Sequence, residues 1–596
     1  MRLTYRTVVR RRSEILFFLF VAAYALVALR LTYVQYWKAD RYEAFGKEIR
    51  NRRLDIVAQR GVIYDRVGRE LAMNLRGSSV YAHPRSVRNI DQVSFHLASL
   101  LGCEQDTLAQ KLAVDKSFVW LKRGASDDIG EKICDAELPG VYATKEQKRI
   151  YPSGVDPSGS LTPSSVAAQV VGFTDVDGKG RQGVEKVADR YLKGANGFVA
   201  AEVDKDGRII PETRRKTVKA HDGLDVVLTI DAYIQHVAEE ALRKTFEASK
   251  ALGACAIVMD PETGEILAMA NMPTFNSNGL TGSSADQWRN RAVTDLYEPG
   301  STLKTITAAA ALEEGIIDSH SIFAHCSGSI AVGRRRVRCV LHHPFNNGHA
   351  AVDLTKMIQY SCNIGASELG MKLRADRLYK YEKAFGLLSK PRSGLPGEVT
   401  GRLDRPSAWP TIKCANVAFG QGIAITPLQI TCAYSVIANG GVMMRPMIIR
   451  ELRSKDGSVC REFSPKMVRR VVSDSTAAQV KRALVACVAD GTGKSAQVEG
   501  YSIGGKTGSA QKVRKDGRGY EPGKYVASFI GFLPASNPRL VILVMVDEPK
   551  GTHWGATVAA PAFKDIATKA MWYLRTPRDQ VPTQPNTRVA RKTVSA

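Results

Sequence analysis

The sequence predicts an α+β protein in three parts: a single N-terminal transmembrane helix, a mixed α/β domain, and an antiparallel sheet flanked by helices. Three observations point there. Residues 15–29 form an uninterrupted apolar run behind five arginines that fall within the first twelve residues. Residues 38–220 are rich in charge and glycine, with short mixed segments and no sustained period. Past residue 220, strand-like apolar runs stand at both ends of a long helical stretch.

A chain of 596 residues has room for several domains of ordinary size. Its 44% apolar and 24% charged content exclude wholesale disorder and a multi-span membrane protein. Lys and Arg number 84 against 59 Asp and Glu, a net charge of +25. That balance favours an anionic neighbour: nucleic acid, a lipid surface or a cell-wall polymer.

The apolar run alone is short for a bilayer, but Leu31, Val34 and Trp37 extend it to the roughly 20 residues that a hydrocarbon core requires. Arg2, Arg6, Arg10, Arg11 and Arg12 precede it with no acidic residue before Glu14, so the N-terminus is expected in the cytoplasm and the rest outside. A cleaved signal peptide has the same charge order, but residues 30–37 offer no small-x-small cleavage site; an uncleaved anchor is expected. Asp156-Pro-Ser-Gly-Ser160 and Asp175-Val-Asp-Gly-Lys-Gly180 read as loops. Residues 225–230 read as a strand and 232–250 as a helix. Two further strands, 255–259 and 265–270, are joined by the turn Asp260-Pro-Glu-Thr-Gly264. Residues 501–507, 525–533 and 539–547 are three late strands, and 558–574 is a closing helix. The expected division is a cytoplasmic tail (1–13), a transmembrane anchor (14–37), the mixed domain (38–220), the sheet-and-helix domain (221–575) and a disordered basic tail (576–596).

Three short motifs carry chemistry. Glu298-Pro-Gly-Ser301-Thr-Leu-Lys304 opens an alanine-rich helix running to about Gly315, with Ser301 and Lys304 a turn apart on one face. A serine hydroxyl needs an adjacent base to act as a nucleophile, and a lysine serves if burial leaves it neutral. Alone, a Ser-x-x-Lys pair matches many helices by chance. Tyr360-Ser361-Cys-Asn363 follows; Ser361 suits a proton relay and Asn363 an amide donor, with a helix cap as the alternative reading. Gly504-Gly-Lys506-Thr507-Gly508-Ser509 ends a predicted strand and offers a cation and a hydroxyl to a carboxylate, or else forms a glycine-rich bulge.

In this order and context the three motifs resemble the class B penicillin-binding proteins, monofunctional peptidoglycan D,D-transpeptidases. The resemblance extends upstream. Arg60-Gly-Val-Ile-Tyr-Asp65-Arg66-Val-Gly68, Arg149-Ile-Tyr-Pro152 and Gly183-Val-Glu185 are similar to motifs of that family's pedestal, or dimerisation, domain. Arg289-Asn-Arg291-Ala-Val-Thr-Asp295 and Tyr525-Val-Ala-Ser-Phe-Ile-Gly-Phe-Leu-Pro534 look most like its division, or septal, branch. The resemblance implies a serine β-lactamase-like fold for the last domain. It implies that Ser301 is acylated by a D-Ala-D-Ala stem peptide, with Lys304 as base, Ser361 passing a proton to the leaving amine, and Asn363 in the site. Lys506 and Thr507 would hold the terminal carboxylate on the strand that carries Gly508 and Ser509, with the oxyanion between the backbone amides of Ser301 and Ser509. That chemistry requires no cofactor. The implied partners are stem peptides, β-lactams, the membrane, a polytopic glycan-polymerising glycosyltransferase and other division proteins. The implied location is the cytoplasmic (inner) membrane, catalytic domain outside. Elongation- and sporulation-type relatives, a membrane-anchored β-lactamase or β-lactam sensor, and a catalytically silent division scaffold are the alternatives.

All ten cysteines lie beyond the anchor. Cys326, Cys339, His349 and Cys362 fall within 37 residues, a Cys₃His set suited to a structural zinc; a Cys326–Cys339 disulfide and free thiols are the other readings. Two apparent signals are set aside. Gly491-Thr-Gly-Lys-Ser495 resembles the end of a phosphate loop, but the first glycine of that motif is here Val488. Arg334-Arg-Arg-Val-Arg338 resembles a nucleic-acid patch, but it falls in the extracytoplasmic part and has no interleaved aromatics, so no nucleic acid is expected.

Overall fold

The computed structural model describes residues 2–155, 161–202, 210, 213, 216–339, 350–514, 516–517 and 519–580. The loop expected at 156–160, His349 and residues 581–596 lie outside the described residues.

By contacts the chain forms two units. The first is residues 1–59 with 194–222. It holds the N-terminal helix Arg2–Thr32, continued by a wider turn Tyr33–Trp37. Residues Thr7–Trp37 form one helix long and apolar enough to cross a membrane. At about 1.5 Å per residue it exceeds the roughly 30 Å of a hydrocarbon core, and its Phe17, Phe18, Leu19 and Phe20 side chains are exposed, as a lipid-facing helix requires. A three-stranded sheet of Asn51–Ile56, Gly197–Glu202 and Lys216–Val218 completes this unit.

The second unit is residues 60–193 with 223–596. One of its sheets crosses the expected boundary near residue 220: Asp225–Leu228 pairs in parallel with Ile63–Tyr64 and antiparallel with Ile449–Arg453. Beyond Ile63–Tyr64 the sheet continues through Glu70–Ala82, on which Val119–Ser126 and Val141–Ile150 pair. The three pedestal motifs meet in one buried cluster. Arg60 donates to Glu185 Oε2 at 2.5 Å and Asp189 Oδ1 at 2.7 Å, and Arg149 donates to Glu185 Oε1 at 2.7 Å. Gly183 has φ +58°, and a Cβ there would lie 2.5 Å from the Val170 carbonyl oxygen, so the turn that aims Glu185 inward requires glycine.

A second sheet of this unit has five antiparallel strands: β1 (Gly253–Met259), β2 (Ile266–Met272), β3 (Gly504–Val513), β4 (Tyr520–Leu533) and β5 (Leu540–Asp547), in spatial order β2-β1-β5-β4-β3. Alternate residues feed two cores, as the two-residue period dictates. Ile257, Ile530 and Leu543 join one core, which takes in the helices α1 (Lys304–Glu313) and α2 (Pro427–Ala438). Ala256, Phe529 and Val544 join the other, with the helices Ala232–Ser249 and Ala560–Tyr573. Strand β3 is therefore an edge strand. It begins at Gly504 rather than 501 and continues in register past the Lys506-Thr-Gly motif, which lies inside the strand and not at its end. Residues 576–580, expected in the disordered tail, are held in place: Asp579 accepts from the Ser502 amide and from Ser536 Oγ, both at 2.7 Å, and Tyr501 donates to the Thr576 carbonyl at 2.6 Å.

Candidate active site

Pro299 leads into a short 3-10 turn, Gly300–Leu303, that carries Ser301 and passes directly into α1 at Lys304. The turn packs on β3. A Cβ on Gly508 would lie 2.4 Å from Ser528 Oγ and 3.1 Å from the Pro299 carbonyl oxygen, so glycine there lets the Ser301 turn approach the strand. Gly420, with φ +87°, closes the other side, where a Cβ would lie 2.1 Å from the Gly300 carbonyl oxygen.

Lys304 is fully buried and is the hub of the site. Its Nζ lies 3.1 Å from Ser301 Oγ and 3.1 Å from Ser361 Oγ, and donates to the Ser361 carbonyl at 2.6 Å and Asn363 Oδ1 at 2.7 Å. Burial, and next the Lys506 ammonium, pull its pKa down to about 7. The second motif is thus not the helix cap of the alternative reading. Cys362 is the N-cap of the helix Asn363–Ala384, its sulfur accepting from the Gly365 amide at 3.4 Å, which leaves Ser361 and Asn363 free to face Lys304. Ser361 has φ +57°, a left-handed backbone that is uncommon for a non-glycine residue and often marks functional sites.

On β3, Lys506 is fully buried, its pKa lowered by that burial, and Nζ lies 3.3 Å from Thr507 Oγ1. Ser509 Oγ accepts from the Gly555 amide at 3.0 Å. All five residues named for catalysis, with Thr507, Gly508 and Ser509, belong to this one region of the second unit.

Two residues escaped sequence reasoning. Glu298 is buried; one carboxylate oxygen accepts from the Gly422 amide at 2.8 Å and the other from Tyr520 OH at 3.0 Å, tying the Ser301 turn to a distant loop and to the start of β4. Thr492, set aside with its glycine-rich motif, places its hydroxyl 3.4 Å from Lys506 Nζ and 3.3 Å from Thr507 Oγ1. The neighbouring glycines were the available signal; its placement comes from a contact 14 residues away in sequence.

Cys326, Cys339 and Cys362 converge below the Ser361 loop, buried, with sulfur atoms all within 4.8 Å of one another. The Cys339–Cys362 sulfur separation is 3.9 Å. Zinc–thiolate bonds of about 2.3 Å in tetrahedral array put sulfurs roughly 3.8 Å apart, a spacing that the Cys339–Cys362 pair matches. Asn363 Nδ2 donates to the Arg338 carbonyl at 3.0 Å, which links the strand beside Cys339 to the asparagine that contacts Lys304. Among the exposed arginines set aside, Arg335 and Arg336 lie on a two-stranded hairpin with Ser329–Val332.

Residues 254–568 match the penicillin-binding protein transpeptidase domain, and residues 55–228 the penicillin-binding protein dimerisation domain. Stage V sporulation protein D of Bacillus subtilis is 36% identical over 564 residues, covering 94% of this chain and 85% of that one. Peptidoglycan D,D-transpeptidase FtsI of Escherichia coli is 32% identical over 563 residues, covering 91% and 88%. Penicillin-binding protein 3 of Mycobacterium tuberculosis, solved in complex with ampicillin, superposes with a TM-score of 0.67 at 30% identity, covering 89% and 98%. The chain belongs to the class B penicillin-binding proteins, monofunctional serine-type D,D-transpeptidases that act in peptidoglycan synthesis.

Proposed function

We propose that this chain cross-links peptidoglycan stem peptides at the division septum through an acyl-enzyme on Ser301. The observation that carries the chemistry is Lys304: buried, depressed to about 7 and within hydrogen-bond reach of both Ser301 and Ser361. Neutral Lys304 takes the Ser301 proton as Oγ bonds to the carbonyl carbon of the penultimate D-Ala. The oxyanion rests between the backbone amides of Ser301 and Ser509. Ser361 hands its proton to the departing D-Ala amine as the C–N bond breaks and is refilled by the proton Lys304 took, which leaves the lysine neutral again; Asn363 fixes the lysine, and Lys506 and Thr507 grip the terminal carboxylate. An amine of a neighbouring stem then attacks the ester, and its proton returns through Lys304 to Ser301. Each proton has a side chain to carry it, so the reaction asks for no cofactor. A β-lactam enters by the same first step and remains attached. Fluorescent penicillin applied to membranes tests this: a stable label lost in Ser301→Ala is expected, rapid turnover of the label would mean a β-lactamase, and full function of Ser301→Ala cells under conditions where depletion of the protein is harmful would mean a scaffold.

The septal reading rests on the 525–534 and 289–295 segments; the enzyme would work beside a polytopic glycosyltransferase that polymerises the glycan, held to the inner membrane by its N-terminal helix with the catalytic domain outside. Similarity to a relative named for sporulation favours a second reading, a sporulation-type enzyme. Depletion separates them: filaments mean division, round cells elongation, and normal growth with defective spores sporulation.

The three cysteines, with His349 as fourth ligand, would hold a structural zinc that fixes the Ser361–Asn363 loop. Metal analysis of the purified full chain is expected to give about one zinc per molecule, and chelation to lower its thermal midpoint. A zinc content near zero in a folded protein overturns this reading.

A further inference from the structure

The glycine-rich segment at 491–493 has the look of a phosphate loop without its first glycine, and its position in the fold gives it a different task. Helix Asp474–Asp490 delivers the segment to the carboxylate end of the active site. There it is clamped to the end of the helix Leu354–Gln359, just before the Ser361 motif. The Thr492 amide donates to the Gln359 carbonyl at 3.1 Å, and Gln359 Nε2 donates to the Asp490 carbonyl at 2.8 Å. A Cβ on Gly491 would lie 2.5 Å from the Gln359 carbonyl oxygen, so the approach requires glycine.

The clamp sets the Thr492 hydroxyl at a junction of donors. It donates to the Gln359 carbonyl at 3.3 Å and accepts from Lys506 Nζ at 3.4 Å and from Thr507 Oγ1 at 3.3 Å, with Cys487 Sγ at 3.4 Å. Lys506 is fully buried and has few acceptors: the Thr507 carbonyl and hydroxyl, each at 3.3 Å, and Thr492. A buried ammonium and a rotatable hydroxyl make a precise carboxylate grip only if something fixes their direction before the ligand arrives. Thr492 is half-buried beside that pair.

We propose that Thr492 is a positioning residue for carboxylate recognition: its hydroxyl, oriented by the Gln359 carbonyl, pre-aims Lys506 and Thr507 at the terminal carboxylate of the stem peptide. This rests on the reading of Lys506 and Thr507 as the carboxylate grip. It also connects the Ser361 motif to the Lys506 motif, because Gln359 holds Thr492 and lies two residues before Ser361.

The test compares Ser301 acylation of the full-length, detergent-solubilised protein by benzylpenicillin, which has the carboxylate, and by its methyl ester, which does not. Wild-type protein should react much faster with the acid; equal rates would overturn the grip itself, and this proposal with it. Given that preference, Thr492→Val should slow the acid about tenfold or more, the size of a hydrogen bond to a charged group. It should leave the ester rate unchanged within about twofold, and Thr492→Ser should restore the acid rate. Equal slowing of both compounds would make Thr492 merely structural. An unaffected acid rate, or a serine variant as slow as valine, would also overturn the proposal while the grip stands.

Discussion

As the proposed base, Lys304 must satisfy two opposed demands: it has to be neutral to take a proton, yet it must sit among groups that prefer its charge. Burial and the neighbouring Lys506 favour the neutral form, while the Ser361 carbonyl and Asn363 Oδ1 accept its protons and hold its direction. The pKa near 7 has a definite sign in the kinetics. Penicillin acylation of Ser301 should rise with pH through about 7 as Lys304 loses its proton, then fall at alkaline pH as Lys506 gives up the charge that holds the carboxylate. Lys304→Arg, whose guanidinium stays protonated, should show no acylation at any pH; a rising limb that survives in that variant would assign the base elsewhere. The same shift acts on stability. The unfolded chain binds more protons than the folded one between about 7 and the free-lysine value of 10.5, so the cost of burying Lys304 is full below about 7 and falls as pH rises across that window. Ser361 separates strain from chemistry. Both Ser361→Gly and Ser361→Ala remove the relay hydroxyl and should slow acylation by about 10²–10⁴-fold, but only glycine relieves the backbone at φ +57°. The glycine variant should therefore be about 1 kcal/mol more stable than the alanine variant in thermal melts. Ser301, Lys304 and Lys506 were legible because each motif is local. Thr492 and Glu298 were not, because their partners lie in other elements: Lys506 for the first, Gly422 and Tyr520 for the second.

At the scale of elements, alternation revealed the existence of the strands but not their extent. Strand β4 begins at Tyr520 rather than 525: its first residues, Tyr520-Glu-Pro-Gly-Lys524, carry no apolar alternation, and Val513 opposes Tyr520 only after a register shift beyond Gln511. Such pairing leaves no hydrophobic pattern to read. The pedestal motifs show the converse: Arg60, Arg149 and Glu185 look like surface residues in composition and prove to be one buried knot, with Tyr151 OH 3.4 Å from Glu185 Oε1. Two arginines balance a carboxylate that water cannot reach, and the backbone of Glu185 accepts from Arg60 as well. Glu185→Ala would leave the buried Arg149 without its counter-charge and Arg60 with Asp189 alone, a cost of about 3–5 kcal/mol, which should appear as a markedly lower thermal midpoint. Penicillin acylation at temperatures below that transition should stay near wild type, since the knot touches no residue of the catalytic site. An unchanged midpoint would mean the cluster is far better hydrated than its geometry indicates.

On the scale of the whole molecule, the net charge of +25 constrained the partner without naming it, and the arginines at 2–12 turn most usefully into a statement about sidedness. If those arginines hold the N-terminus in the cytoplasm, every other residue beyond the anchor faces outward, including the wall-directed Ser301. The cysteines provide native probes of this orientation. Cys134 and Cys460 are exposed, Cys103 is half-buried and the other seven are buried, so the folded protein offers two reactive positions, both past the anchor. A membrane-impermeant maleimide added to intact spheroplasts should label the full-length chain at these two sites, with no need for permeabilisation. Cys134→Ser combined with Cys460→Ser should remove most of the label while penicillin acylation continues, because neither thiol approaches Lys304 or Lys506. Labelling that appears only after the membrane is opened would place the catalytic domain inside. That result would contradict the charge asymmetry and the presentation of Lys506 to an extracytoplasmic stem peptide together, since both depend on the same crossing by one helix.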